Sequence, residues 1–553
     1  MKKWLLTSAA AALFAMSSVA PASAEYMKEH RGGTMRILAH QAGGTIDPHI
    51  NYTLQYWQIY QSAYDGLINF QKANGADGFT KVPDIAEAFP EPTNDGKTYV
   101  FKIRKGVMFS NGKELGVKDV LASLQRIFKV SSPTAGGFYS VIVGADKCLK
   151  EPKTCTLEGG VVGDEAAGTV TINLTRPDAE IFDKLALPHA VILPADSPME
   201  DVGSNPLPGT GAYMISAYDP NKGLTLVRNP HFKVWSEQAQ PDGYPDVVQY
   251  DFGLTEEAEV TAIQNGEADW TLDEIPADRL AEIGTKNKDQ VHITPLTAWW
   301  YAPMNTRLAP FDNVKVRQAV NYAIDRKALV NIFGGPVLAQ PVCQVLPPGF
   351  PGHVDYCPYT KDPGPKWSAP DMEKAKKLVE ESGTKGQKVT IVPDDRAVSK
   401  AVGVYLQSVL TELGYETDVK PISTNIQFTY IQNTNNKVQI SVTQWYQDYP
   451  AASDFLNILF GCSTFTEGSD SSINIAGFCD KDIDAKMQAA LALGVTDPDG
   501  ANKMWAEIDK AVTDNAAAAA LFTPKHLDFV SKRLGNFQFN YQYYWMVTQS
   551  WVQ

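Results

Sequence analysis

Residues 388–419 alternate strand, helix and strand, and that order confines the chain to few folds. Residues 388–392 read as a strand, 398–413 as a helix stopped at Gly414, and 415–419 as a second strand. Two strands joined through a helix predict a parallel pair, and hence an α/β layer. Upstream, residues 314–333 predict one long helix, with Val316, Val320, Ala323 and Ile324 on a single apolar face. Another helix starts near Ser368, where Ser368 and Asp371 form an acidic variant of the capping box and Gly383 supplies the stop. Strand patterns at 35–39, 98–103, 224–227 and 247–252, and a helix at 117–128, lie far from this layer in sequence. At least two lobes follow. A length of 553 residues agrees with several domains of roughly 100–200 residues each. No repeat of solenoid or propeller period is present.

The N-terminus reads as an address. Lys2 and Lys3 precede an apolar run over 4–15, and Ala22-Ser23-Ala24 forms a small-x-small cleavage site. The pattern predicts a secretory signal over residues 1–24 with Glu25 opening the mature chain. The run is shorter than the ~20 residues a membrane span requires. No Cys follows the cleavage site, so no lipid anchor is expected. Six Cys agree with an oxidising compartment. They fall into neighbouring pairs, Cys148 with Cys155, Cys343 with Cys357 and Cys462 with Cys479, and proximity favours three local disulfides over other pairings. Zinc is the competing reading, but there is no CxxC spacing and His353 is the one His near these Cys. The net charge of −14 argues against nucleic acid and against an anionic membrane surface, both of which need basic patches.

A series of segments then resembles one family. Gly32-Gly33-Thr34-Met35-Arg36, Ile46-Asp47-Pro48 and Tyr64-Asp65-Gly66-Leu67 open it, followed by 82–87. The longest block runs over 95–109 and on through Asn111-Gly112-Lys113 to Lys118-Asp119-Val120. Gly209-Thr210-Gly211-Ala212-Tyr213, Arg228-Asn229-Pro230, 264–269 and Met304-Asn305-Thr306 continue it. A second strong block joins Pro310-Phe311-Asp312 to 316–326. In this order and spacing the chain resembles solute-binding protein family 5, the periplasmic dipeptide- and oligopeptide-binding components of ABC transporters.

The resemblance implies an α/β, type-II periplasmic-binding fold: two lobes closing about a hinge, plus an inserted domain near the N-terminus. By that analogy the first lobe is discontinuous over 25–60, 205–300 and 525–553, the inserted domain covers 61–204, and the second lobe covers 301–524. It implies a periplasmic, monomeric receptor without a cofactor, which hands a peptide or other small solute to an ABC permease and, through it, to ATPase subunits. The sequence has no Gly-x-x-x-x-Gly-Lys-[Ser/Thr] loop, so the ATPase must be a separate chain.

The resemblance also points to a site. Trp445-Tyr446-Gln447-Asp448-Tyr449-Pro450 follows a polar strand at 438–443 and matches the Trp-x-x-Asp-Tyr segment of the peptide-binding relatives, whose Asp meets the ligand's free α-amine. Asp448 and Trp445 take those positions, with Tyr446 beside them. A carboxylate in a closing cleft makes a charge-assisted hydrogen bond to an ammonium. The relatives' basic residue ahead of the Asp is absent from 439–444, leaving Arg396 and Lys400 as candidates, with Asp394 and Asp395 able to neutralise them. Trp299, Trp300 and Tyr301, at the crossing into the second lobe, and Tyr56 and Trp57, within 52–60, are aromatic candidates for the ligand walls.

Other ligands on the same fold are an opine-like conjugate, an oligosaccharide or a metal chelate such as nickel. A secreted hydrolase is the distant alternative. The chain has neither a Gly-x-Ser-x-Gly elbow nor a His-Glu-x-x-His pair, and no catalytic residue or metal ligand set is singled out.

Overall fold

The computed structural model describes residues 28–40 and 44–553, so the predicted signal segment lies outside the described residues. One five-stranded sheet is ordered Trp270–Thr271, Thr34–Ala39, Val247–Phe252, Gly223–Arg228, Tyr213–Asp219. Thr34–Ala39 runs parallel to both of its neighbours. The chain thus returns after about 200 residues to complete the sheet it began, which is why no linker is visible in the sequence. A separate parallel sheet is ordered Glu416–Val419, Lys388–Val392, Ile440–Ser441. It is the predicted α/β layer, with the helix Ala397–Glu412 as its crossover. An antiparallel sheet of Thr98–Lys102, Thr169–Asn173 and Val161–Asp164 stands apart from both.

Between the two parallel-strand sheets run antiparallel strands. The strand Ala518–Phe529 is 12 residues long. Its first part pairs with Ala298–Pro303, its middle with Ala339–Pro341 and its last part with Val291–Pro295. Thr443–Tyr446 adds to the other edge of Ala298–Pro303. The strand expected over 438–443 is therefore two pieces: Ile440–Ser441 belongs to the parallel sheet and Thr443–Tyr446 to the crossing strands. The segment changes sheets at Val442, and that change brings Trp445 and Asp448 to the boundary between lobes.

Two helix expectations are corrected. Residues 314–333 form not one helix but two, Val314–Ala323 and Arg326–Phe333. Ile324 is extended, and the Asp325 carboxylate accepts hydrogen bonds from the N–H groups of Lys327 and Ala328, so a new helix starts there. The apolar period runs through the break because both helices face the same core. Ser368 does not cap the next helix. Asp371 does, accepting from Lys374 N–H, while the Ser368 hydroxyl is bound to Thr360. The stops are as read: Gly383 and Gly414 take φ of 69° and 96°, where a Cβ is unfavourable.

The three neighbouring Cys pairs are disulfides, Cys148–Cys155, Cys343–Cys357 and Cys462–Cys479, which removes the zinc reading for these residues. A buried ion pair fixes the N-terminal segment to the helix Val117–Lys129. Arg126 holds Asp47 through two parallel bonds, Nη1 to Oδ1 at 2.8 Å and Nη2 to Oδ2 at 2.5 Å, and both side chains are at most 1% exposed. Among the described residues no helix is long and apolar enough to cross a membrane.

Candidate functional site

The parallel strands place the site. In open α/β sheets ligands bind beyond the carboxyl ends of the strands. Here the ends of Trp270–Thr271 and Lys388–Val392 open onto one cavity of about 230 Å³. The first contributes Trp270, Leu272 and Glu274, and the second contributes Asp394 and Arg396. The segment from Thr443 to Asp448 forms another wall, and Tyr52 to Gln58 faces it from the N-terminal lobe.

Asp448 is only 6% exposed. The Tyr52 hydroxyl donates to its Oδ2, joining the segment before the first helix to the end of the strand Thr443–Tyr446. Tyr52 stands between two indoles, with ring centroids 5.6 Å from Trp57 and 5.7 Å from Trp445. A second carboxylate lies behind. Asp454, in the first turn of the helix Ala452–Phe460, accepts the Asp448 backbone N–H at 2.8 Å and is fully buried. Burial pushes the Asp448 carboxyl up to about 7, against the pull of its Tyr52 hydrogen bond. Burial and the adjacent Asp448 charge hold Asp454 well above the usual carboxylate range. Neither pairs with a Lys, Arg or His among the described residues. Two buried carboxyls this close cannot readily both ionise, so the pair favours holding a proton.

Arg396 has a different environment. It grips Asp394 at 3.0 and 2.9 Å, donates to Gln444 Oε1 at 3.0 Å, and lies 3.7 Å from Glu274 of the opposite lobe. Asp394 is held below its ordinary range by Arg396, overcoming burial. Asp395 does not join in; its carboxylate accepts from Thr424. Because the cation claims the Gln444 oxygen, the Gln444 amide NH2 faces the other way, and it is buried without a partner. The indole N–H of Trp57 is likewise buried and unpaired, whereas the Trp445 side chain interacts with the Asp454 carboxyl. A buried donor left so costs about 1–3 kcal/mol.

The cavity therefore gathers Asp448, Trp445, Tyr446, Arg396 and Trp57 from the sequence candidates. Trp299, Trp300, Tyr301, Tyr56 and Lys400 lie outside its lining. Ala298–Pro303 is paired on both edges and buried throughout, so its aromatics pack inside the protein. Trp299 stacks on Tyr301 with centroids 4.4 Å apart, and Trp300 stacks on Phe522 at 5.3 Å. Tyr56, about 100° around its helix from Trp57, turns to Tyr218, with the two hydroxyls 2.5 Å apart. Lys400 is exposed on the helix and is not among the lining residues. Sequence reasoning passed over Trp270, Glu274, Lys525 and His526, and reached Tyr52 only as the first residue of the 52–60 segment. Only Tyr52 carried a signal, as the first aromatic of the 52–60 cluster.

Residues 80–467 match the model of the bacterial extracellular solute-binding proteins, family 5 (middle). The chain belongs to this family. Similar curated proteins include the glutathione-binding protein GsiB of Salmonella choleraesuis (strain SC-B67), 26% identical over 508 residues, with 89% of each chain covered. The periplasmic oligopeptide-binding protein OppA of Escherichia coli (strain K12) is 25% identical, covering 86% of this chain and 84% of its own. Among solved structures, the clavulanic acid biosynthesis oligopeptide binding protein 2 superposes with a TM-score of 0.79 at 23% identity, covering 95% and 96% of the two chains. The Escherichia coli murein tripeptide binding protein MppA gives 0.79 at 20% identity, covering 94% and 98%. These likenesses carry the two-lobed α/β fold. Here the cavity walls are joined directly by Tyr52 to Asp448 and by Glu274 to Arg396.

Proposed function

We propose that this chain is a periplasmic receptor that captures a peptide or other amine-bearing small solute between its lobes and presents it to an ABC permease driven by separate ATPase subunits. The observation that carries this reading is Asp448: a buried carboxylate at the lobe boundary, beside two indoles and without a cationic partner. The named activities of the glutathione- and oligopeptide-binding relatives support it. Its role is binding rather than catalysis. A ligand that touches both lobes favours the closed form by its differential affinity, which makes docking on the permease ligand-dependent.

The test compares tripeptides with a free α-amine against the same peptides N-acetylated, by calorimetry. Free peptides bind and acetylated ones do not; equal binding of both sets overturns the amine anchor.

A pH dependence follows. The Asp448 carboxyl is pushed up to about 7, so at acidic pH it carries a proton and pairs poorly with an ammonium. Affinity for a free-amine peptide is expected to rise from about pH 5.5 to about pH 7.5 and then to level off or fall as the peptide amine, with a pKa near 8, loses its charge. The stability of the ligand-free protein runs the other way. A carboxyl whose folded pKa is raised stabilises the fold below its unfolded pKa, and that contribution is lost as pH climbs through about 7. The ligand-induced gain in melting temperature should therefore be larger near pH 7.5 than near pH 5.5. A gain independent of pH would remove Asp448 from the binding step.

A further inference from the structure

Among the described residues none between 61 and 204 borders the cavity. That stretch nevertheless packs against the segment that carries Asp448. The helix Ala135–Tyr139 lies beside the helix Ala452–Phe460: a Cβ on Gly137 would stand 3.0 Å from Ile458, and Phe138 meets the Tyr449 ring edge-on at 5.8 Å. Arg176 donates to Gln488 Oε1 at 2.7 Å. A polar tie holds the start of the second helix. Ala452–Phe460 opens after Ala451, which offers no side-chain cap. Its first-turn polar groups are engaged by other segments instead. The Ser453 hydroxyl donates to Glu180 Oε2 at 2.5 Å. A serine has one hydroxyl hydrogen, so the Tyr449 hydroxyl, 3.0 Å away, donates to Ser453. Glu180 is itself held: Lys184 Nζ lies 3.4 Å from its Oε2 and 2.7 Å from Asp178 Oδ2, and all three side chains are buried. The residue after Ser453 is Asp454, whose Oδ2 accepts the Asp448 N–H at 2.8 Å.

We propose that Glu180 and Ser453 are positioning residues for the amine anchor: from outside the cavity they fix the start of the helix Ala452–Phe460, and through Asp454 and Tyr449 that start fixes where Asp448 points. The proposal rests on the amine reading of Asp448. The path is short. Glu180 holds Ser453, Ser453 adjoins Asp454 and accepts from Tyr449, and both of those meet Asp448, one by its N–H and the other as its chain neighbour. On the far side Gln542 donates to the Asp448 carbonyl, so the anchor's backbone is held at both of its polar groups. A charge-assisted hydrogen bond is about 2.7–2.9 Å long, so a small displacement of the carboxylate is enough to lose one. The stretch 61–204 thus takes part in selecting the ligand while lining none of the cavity.

The test uses the full-length mature protein and the variants S453A, E180A and E180Q. Trp445 supplies a readout that needs no ligand, because its side chain interacts with the Asp454 carboxyl. Its indole N–H resonance, assigned by W445F in isotope-labelled protein, follows the helix start. Affinity for a tripeptide with a free α-amine is read by calorimetry, and folding by thermal melting. S453A and E180A are expected to move the Trp445 resonance and to weaken peptide binding about tenfold. E180Q keeps an oxygen for the Ser453 hydroxyl and should stay close to the parent in both readouts. Unchanged affinity in S453A and E180A overturns the proposal. So does a loss of affinity with the Trp445 resonance unmoved, or an equal loss in E180Q. If E180A does not fold, S453A decides alone. If the parent binds no free-amine peptide, the amine reading of Asp448 falls, and the resonance then judges the positioning: moved in S453A it stands, unmoved it falls.

Discussion

Replacing Asp448 by alanine is expected to weaken binding of a free-amine peptide by about 2–5 kcal/mol, the range for losing one partner of a buried charged contact. The cost is large because the ligand ammonium would then sit in a dry cleft beside Trp445 and Trp57 with no counter-charge. Asn in place of Asp448 separates charge from shape: it keeps an oxygen for the Tyr52 hydroxyl and loses the charge, so it should fall near the alanine value. Tyr52→Phe removes only the neutral donor and should cost far less. Calorimetry on the three variants, with any peptide bound by the unaltered protein, decides the matter, and an unchanged affinity for Asp448→Ala would sink the amine anchor. The asparagine variant carries a second expectation. It removes a carboxylate that burial makes costly to ionise, so the ligand-free protein should melt higher than the parent above neutral pH and similarly to it in acid.

Arg126→Met should destabilise the fold by about 3–5 kcal/mol, because it strands the Asp47 carboxylate in the interior. Arg126 also donates to the carbonyls of Pro198 and Glu200, at 2.6 and 3.0 Å, so three separate chain segments lose their common tie. Pairing it with Asp47→Leu should recover much of the loss, since removing both charges leaves no uncompensated ion. Denaturant unfolding measures both. A loss below about 1 kcal/mol, the scale of an exposed pair, would mean that water reaches Asp47.

Much of the fold was legible because it is written in local patterns. The strand 247–252 and the strand 388–392 coincide with their predicted limits, where a short apolar period is bounded by turn residues. The split at Asp325 was not legible, because a cap is a single side-chain choice inside an unbroken apolar stripe. The site shows the same division. Asp448 and Trp445 stood out through a motif, but the cavity's other walls come from strand ends separated by hundreds of residues. Trp299, Trp300 and Tyr301 mislead for a physical reason. Aromatic residues at a lobe crossing look alike in sequence whether the strand is an edge or a centre, and only the pairing of Ala298–Pro303 on both sides decides it.

The three disulfides close short stretches, separated by 7, 14 and 17 residues. Each doubling of loop length costs about 0.6 kcal/mol in closure entropy, so a cross-pairing such as Cys155 with Cys343 starts several doublings behind the native one. If the chain enters an oxidising compartment N-terminus first, each bridge can close as its second cysteine emerges, before the next pair arrives. Oxidation in order of appearance would yield the native pairing with little need for an isomerase to correct it. With no covalent tie running from one lobe to the other, the finished bridges also leave the cleft free to open and close through every transport cycle.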